Sequence, residues 1–213
     1  MRSKGRDKYD YDKLLKIPKN FIQREKNLRN AKSIFESLGL KFWLSDGAVL
    51  GFYRDGGFIE WDWDLDFIMF TEDMVTSYKA IAKAFRKSGF TVSVKLDSVR
   101  PKFGITLNGE KLMVTGYCLD KKRKLRVRVP YRFPDRLFRP GGTIAFNGET
   151  YPCPGPVEEY LELAYGDWRT PVKSGDPDHY RRGRGKFSAA VEARYQKKAP
   201  SYAHSSDKIV HGY

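Results

Sequence analysis

The stretch Asp46-Gly47-Ala48-Val49-Leu50-Gly51-Phe52-Tyr53-Arg54-Asp55-Gly56-Gly57-Phe58-Ile59-Glu60-Trp61-Asp62-Trp63-Asp64-Leu65-Asp66 decides how this chain is read. Its last six residues place aspartates at every second position, separated by large apolar side chains. Successive side chains of a strand point to opposite faces. Trp61, Trp63, Leu65 and Phe67 are therefore expected on one face, and Asp62, Asp64 and Asp66 on the other. Such a row of carboxylates repels itself, and burial sharpens the repulsion unless a cation is present. Oxygen ligands of this kind suit Mg²⁺ or Mn²⁺, which join one or two carboxylates to the phosphates of a substrate. Asp46-Gly47 reads as a turn into a short helix, Ala48 to Tyr53, whose first N–H groups and dipole favour a phosphate.

The rest of the chain has the opposite charge. Lys and Arg number 40 against 26 Asp and Glu, a net charge of +14. Residues 42–70 alone carry 6 acidic groups and 1 basic one. An acidic island in a positive protein suits an enzyme that handles phosphorylated or otherwise anionic substrates. A solvated acidic face without an ion is the plain alternative, and aromatic residues at strand period argue against it.

A chain of 213 residues, 40% hydrophobic and 15% aromatic, is expected to form one folded domain with a sizeable core. No apolar run approaches the roughly 20 residues needed to span a bilayer, and the charged N-terminus has no hydrophobic h-region. Secretion and membrane insertion are thus not expected. Cys118 and Cys153 have no metal-ligand spacing and suggest neither a disulfide framework nor a zinc site. His179, His204 and His211 give no catalytic pattern and read as surface residues.

Three regions follow: an arm over residues 1–19 with a short helical turn, a domain over 20–171, and a basic irregular tail over 172–213. Within the domain, helical spacing runs from Asn20 to Leu38, with Gly39 as its stop. Leu40 to Leu44 reads as a strand, and the acidic strand is expected over Ile59 to Phe70. Thr71 is expected to cap a helix with the stripe Met74, Tyr78, Ile81, Ala82 and Phe85, ended by Gly89. Phe90 to Leu96 reads as a strand. Asn108-Gly109 joins Phe103–Leu107 to Lys111–Leu119, and Asn147-Gly148 joins Thr143–Phe146 to Glu149–Pro152, as hairpins. Leu125 to Val129 reads as a strand carrying Arg126 and Arg128 on one face. A last helix begins at Pro156, runs through Tyr165 and stops at Gly166. The fold class is mixed α/β, with flanking helices and β-hairpins.

The stretch from Trp43 to Asp66 resembles the signature of the LicD family, and Trp61 to Asp66 is also similar to fukutin-related protein. A second block agrees: Phe146-Asn147-Gly148 to Pro152, Glu158-Glu159-Tyr160-Leu161 and Tyr165-Gly166-Asp167-Trp168-Arg169-Thr170-Pro171. The resemblance implies a nucleotidyltransferase-like α/β core. It also implies metal-dependent transfer of a phospho-alcohol, of the phosphocholine or ribitol phosphate kind, from a CDP-activated donor to a sugar hydroxyl, with release of CMP. Carried onto this sequence, Asp64 and Asp66 would be metal ligands and Asp62 a ligand or its support. Gly47 and Gly51 would let the backbone approach the donor phosphates. Arg54 would contact phosphate or brace the acidic strand. Asp46 would join the phosphate side or merely cap its helix.

Two departures stand out. Thr115, in Met113-Val114-Thr115-Gly116-Tyr117, stands where the family carries a third carboxylate, and Glu60 replaces its usual proline. The base for the acceptor hydroxyl is therefore unassigned, with Asp62 and Asp120 as substitutes.

Lys121 to Arg128, notably Arg126 and Arg128, is the expected surface for an anionic acceptor, against the plain reading of an exposed hairpin kept soluble by edge lysines. Trp168 could border the site. The expected acceptor is a glycan or lipid-linked glycan at the cytoplasmic membrane face, with peripheral contact to anionic lipid. Two other readings compete: an Asp-x-Asp glycosyltransferase or NTP-using nucleotidyltransferase, and a basic nucleic-acid-binding protein on a dead scaffold. Arg181 to Lys186 lacks regular aromatic interleaving, so nucleic acid is not the expected partner.

Overall fold

The structure, a computed structural model, describes residues 11–96, 100–174 and 176. The arm before Tyr11 and most of the basic tail, with all three histidines and Arg181 to Lys186, lie outside the described residues.

The chain runs α1 (Tyr11–Leu15), α2 (Phe21–Ser37), β1 (Trp43–Ser45), α3 (Asp46–Arg54), β2 (Asp64–Phe70) and α4 (Thr71–Lys87). It continues with β3 (Thr91–Lys95), β4 (Lys102–Leu107), β5 (Glu110–Asp120), β6 (Leu125–Arg128) and β7 (Tyr131–Pro134). A short 3₁₀ turn over Asp135–Phe138 leads to β8 (Gly142–Phe146), β9 (Glu149–Cys153) and α5 (Val157–Tyr165). The main sheet has the order β1-β2-β5-β4-β3, and β6 and β7 extend it from the far half of β5. Only β2 and β5 are parallel, so the sheet is mixed. β8 and β9 form a separate hairpin.

Alternation along each strand builds the core. Leu65, Phe67, Leu112, Val114, Phe103, Ile105, Val92 and Val94 are buried. α2 brings Phe35 within 5.7 Å of Phe67 and 5.3 Å of Phe85 of α4, ring centre to ring centre. The two long helices thus share one face of the sheet. The Asn20 side chain starts α2 by accepting from the Gln23 N–H at 3.0 Å. Thr71 does not cap α4: Phe70 holds that position, and Thr71 is buried at the helix start.

Beyond the two long helices, Phe133 of β7 lies between Tyr117 and Tyr160 of α5, and Phe52 of α3 stacks on Phe146 of β8 at 3.9 Å. The sheet face turned away from Phe67 carries Asp64 and Asp66 beside Lys111 and Met113, and it positions the site. No helix among the described residues is long and apolar enough to cross a membrane.

Both Asn-Gly hairpins form, with left-handed φ at both turn residues: 50° and 81° at Asn108-Gly109, 46° and 78° at Asn147-Gly148. Three differences from expectation stand out. β1 begins at Trp43, not Leu40. β7 and the 3₁₀ turn occupy a stretch for which no element was expected. β2 begins at Asp64, not Ile59, because the Asp62 N–H turns back to the Ile59 carbonyl at 3.1 Å. The three aspartates therefore do not share one strand face: Asp64 and Asp66 do, and Asp62 reaches the site from the preceding turn.

Candidate active site

β1 ends at Ser45, and the chain enters α3 through Asp46 at a left-handed φ of 50°. Aspartate tolerates this conformation better than most residues. Tyr160 holds it there. The Asp46 N–H donates to the Tyr160 hydroxyl at 3.0 Å, and that hydroxyl faces Asp46 Oδ1 at 3.3 Å. Complete burial and the Asp46 charge push the Tyr160 hydroxyl well above its ordinary pKa. Asp46 is not the helix cap, since Ser45 holds that position and makes no capping bond. Nor is Asp46 in the wall of the cleft described below.

The two helix glycines do different work. Gly47 adjoins the cleft, and the Asp62 carboxylate lies against its bare Cα. At Gly51, an added Cβ would sit 2.4 Å from the Gly57 carbonyl oxygen and 3.1 Å from Ile59. The space beside Gly51 is thus filled by the Gly56-Gly57 turn. Gly51 fixes the path of the chain into the acidic strand and offers no approach to a donor phosphate.

Asp64 is buried, and burial followed by the charge of Asp62 pushes its carboxyl up to about 7. Lys111, its register partner on β5, opposes that shift from 3.9 Å. Asp66 stands opposite Met113, and Thr115 is two pairs further along, opposite Ile68. Thr115 donates its hydroxyl to the Phe67 carbonyl at 3.1 Å, so it is a buried link between strands. No acid on β5 faces the pair: Asp120 is engaged at the far end of the strand by Arg123, at 2.9 and 3.0 Å.

Among the described residues, no three or more His, Cys, Asp or Glu side chains are arranged to hold a metal ion. Two carboxylates are nevertheless a normal protein contribution to Mg²⁺, which keeps waters and takes its remaining ligands from substrate phosphates. A buried Asp64 short of counter-charge fits such an ion.

A cleft of ≈ 260 Å³ opens over the pair, bordered by Gly47, Asp62, Asp64, Asp66, Arg128 and Trp168 among others. Arg54 also borders it. Its guanidinium grips Asp55 through two bonds of 2.7 Å and donates to the Trp168 carbonyl at 3.1 Å. It therefore braces the segment after α5, not the acidic strand. Trp168 is buried against Tyr53, with Arg169 over its ring at 4.1 Å. The indole Nε1–H of Trp168 and the Nε–H of Arg128 are buried with no hydrogen-bond partner among the described residues.

Arg126 is placed differently from expectation. It is fully buried, donates to Asp135 at 2.6 Å and Glu72 at 2.7 Å, and lies 3.3 Å from the Phe70 ring centre. A guanidinium so enclosed cannot greet an acceptor. Of the expected basic surface, only Arg128 reaches the cleft.

Three residues of this neighbourhood received no site role in the sequence reading. Tyr160 shapes the α3 entry from 114 positions away. Arg24 donates to the Asp62 carbonyl at 2.9 Å while paired with buried Glu110 at 2.6 Å. Lys111 faces Asp64. The Lys111 signal was present in the sequence, at the second residue of the strand that follows an Asn-Gly turn, but its partner depends on parallel register.

An acidic strand parallel to its neighbour, entered from a short helix with a glycine at its first turn and backed by two helices, defines a nucleotidyltransferase-type α/β domain. The chain belongs to the family described as LicD/FKTN/FKRP, nucleotidyltransferase domain, whose model matches residues 39–155, more than half of its length. It is similar to the ribitol-5-phosphate transferase FKTN of Mus musculus, 28% identical over 180 residues, which cover 73% of this chain and 35% of that protein. The ribitol 5-phosphate transferase FKRP of Homo sapiens is 24% identical over 148 residues, covering 65% of this chain and 30% of that one. The chain thus spans about a third of the length of the curated relatives it matches. A solution structure of the antibiotic-resistance factor ANT(2'')-Ia aligns at a TM-score of 0.46 and 15% identity, over 63% of this chain and 66% of that one.

Proposed function

We propose that this protein is a metal-dependent phosphotransferase that moves a phospho-alcohol, ribitol phosphate in the first instance, from a CDP-activated donor to a sugar hydroxyl of a glycan. The observation that carries the reading is the acidic pair Asp64 and Asp66 at the floor of a cleft shared with Gly47 at the start of α3 and with Arg128. Family membership supports it. So do the curated relatives, whose names specify ribitol phosphate transfer.

In this reading the acceptor oxygen bonds to the donor phosphorus that bears the alcohol. The bond from that phosphorus to the bridging oxygen breaks, and the electron pair leaves with CMP. The hydroxyl proton passes to the Asp62 carboxylate, which reaches the cleft from the turn before the strand, and from there to solvent. Mg²⁺ held by Asp64 and Asp66 would polarise a phosphoryl oxygen and offset the charge that develops. The start of α3 receives phosphate charge, while Trp168 and Arg54 close the side of the cleft.

The experiment is a donor panel read by CMP release with Mg²⁺ present: CDP-ribitol and CDP-choline against UDP-sugars and NTPs. Release of CMP from a CDP-alcohol, lost in Asp64→Ala, supports the reading. Turnover of UDP-sugars or NTPs alone would replace it with the competing transferase readings.

A further inference from the structure

The strand beside the acidic pair supplies cations on the face where the family resemblance implies a third carboxylate. In the parallel register Asp64 faces Lys111, Asp66 faces Met113 and Ile68 faces Thr115. The Lys111 ammonium lies 3.9 Å from Asp64 Oδ2, too far for a tight hydrogen-bonded pair, with its side chain 40% exposed. β4 adds Lys102, the register partner of Thr115, and β6 adds Arg128. Gly104 stands opposite Met113, so no side chain from β4 fills the space between. Burial, then the nearby charges of Arg128, Lys111 and Lys95, hold the Lys102 amine below its ordinary pKa. The Nε–H of Arg128 is buried with no partner among the described residues. Lys102 is thus within electrostatic reach of Lys111, Arg128 and Asp64.

Resting on the proposed transferase reading, we infer that the site works with one divalent ion, and that Lys111, with Lys102 and Arg128, holds the phosphoryl group being transferred. An ammonium at Lys111 supplies the positive charge that a second metal would bring to such a group. Arg128 offers its unpartnered N–H to a phosphoryl oxygen, and Lys102 balances the group's remaining charge. The contrasting role for Lys111 is neutralisation of Asp64 only.

The two roles separate by measurement. In a manganese titration followed by electron paramagnetic resonance, the wild type should bind one Mn²⁺ per chain, and Lys111→Met should still bind one. Lys111→Met should lower kcat for CMP release from CDP-ribitol about 100-fold or more. Donor KM should move less than threefold, and Lys111→Arg should recover part of kcat. Two Mn²⁺ per wild-type chain would overturn the inference. So would a Lys111→Met variant with unchanged kcat and tighter Mn²⁺ binding, the mark of simple neutralisation.

If the wild type released no CMP from any CDP-alcohol, the transferase reading would fail by itself. The cation row is then read with inorganic phosphate in the presence of Mn²⁺. Lys111→Met and Lys102→Met should each weaken phosphate-induced thermal stabilisation about tenfold in midpoint concentration, and unchanged midpoints would overturn the inference. Unaltered circular dichroism establishes that each variant is folded, and Lys111→Arg serves where Lys111→Met is not.

Discussion

The Asp62 carboxylate fills the space that a side chain at Gly47 would need: an ideal Cβ there would sit 2.0 Å from Asp62 Oδ2. The first turn of α3 and the turn before β2 are thereby locked together through the absence of one carbon atom. Gly47→Ala must push Asp62 out of the site. The variant should remain folded, losing about 1–3 kcal/mol from overpacking, while CMP release falls at least 100-fold. Activity within a few-fold of wild type, with the midpoint of urea unfolding lowered, would show that Asp62 can leave its seat at no chemical cost.

Asp64 gives the metal-free protein a pH dependence of unusual sign. The unfolded chain releases this proton near the ordinary value of 3.8, whereas the folded chain keeps it up to about 7. Between those values the folded state binds more protons, so stability falls as pH rises through the window and levels off above it. The extra stability is fully present below the unfolded value. It is on the order of 4 kcal/mol at most, at about 1.4 kcal/mol per pH unit. Urea unfolding in EDTA from pH 4 to 8 should show this decline in the wild type but not in Asp64→Asn. Parallel curves for the two proteins would mean that Asp64 is not held in an unfavourable setting.

The parts of this fold that read easily from sequence are those fixed locally. Asn108-Gly109 and Asn147-Gly148 need only their own dihedral preferences to make hairpins, and α4 needs only its apolar spacing. The acidic pair was legible for the same reason, since alternation at Asp64 and Asp66 is a property of one strand. Asp62 was misplaced by extrapolating that period across a turn whose bonds come from Ile59 and from distant Arg24. Arg126 was misread because its surroundings are non-local. Nothing in Leu125 to Arg128 indicates that Glu72 of α4 and Asp135 close over one arginine and not the other.

That difference between two arginines on one strand can be measured. Arg126→Ala leaves solvent-accessible Glu72 and Asp135 without their shared partner and a void against Phe70, and should cost about 2–5 kcal/mol of stability, chiefly through the void. Where the variant remains folded, its donor and acceptor KM should stay near wild type. Arg128→Ala should do the reverse, with stability changed by less than about 1 kcal/mol and kcat/KM lowered at least tenfold. An Arg126→Ala protein of normal stability that loses acceptor binding would restore Arg126 to the acceptor surface.

Arg24 should couple stability to the site through Asp62. It is 2% exposed, its Nε donates to Glu110 at 2.6 Å, its Nη1 donates to the Asp62 carbonyl at 2.9 Å, and Glu110 also accepts from the Asn20 N–H at 2.6 Å. Removing one member of a buried pair strands the other charge, at about 3–5 kcal/mol, whereas replacing both with apolar groups is often close to neutral. Arg24→Met should therefore destabilise strongly. Arg24→Met combined with Glu110→Leu should recover most of that loss in chemical denaturation, apart from the share belonging to the Asn20 cap. Catalysis should not recover with it, because neither variant restores the donor to the Asp62 carbonyl. If the double variant regained both stability and CMP release, the bond from Arg24 to Asp62 would be incidental, and the acidic turn would be held by Gly47 and the Ile59 carbonyl alone.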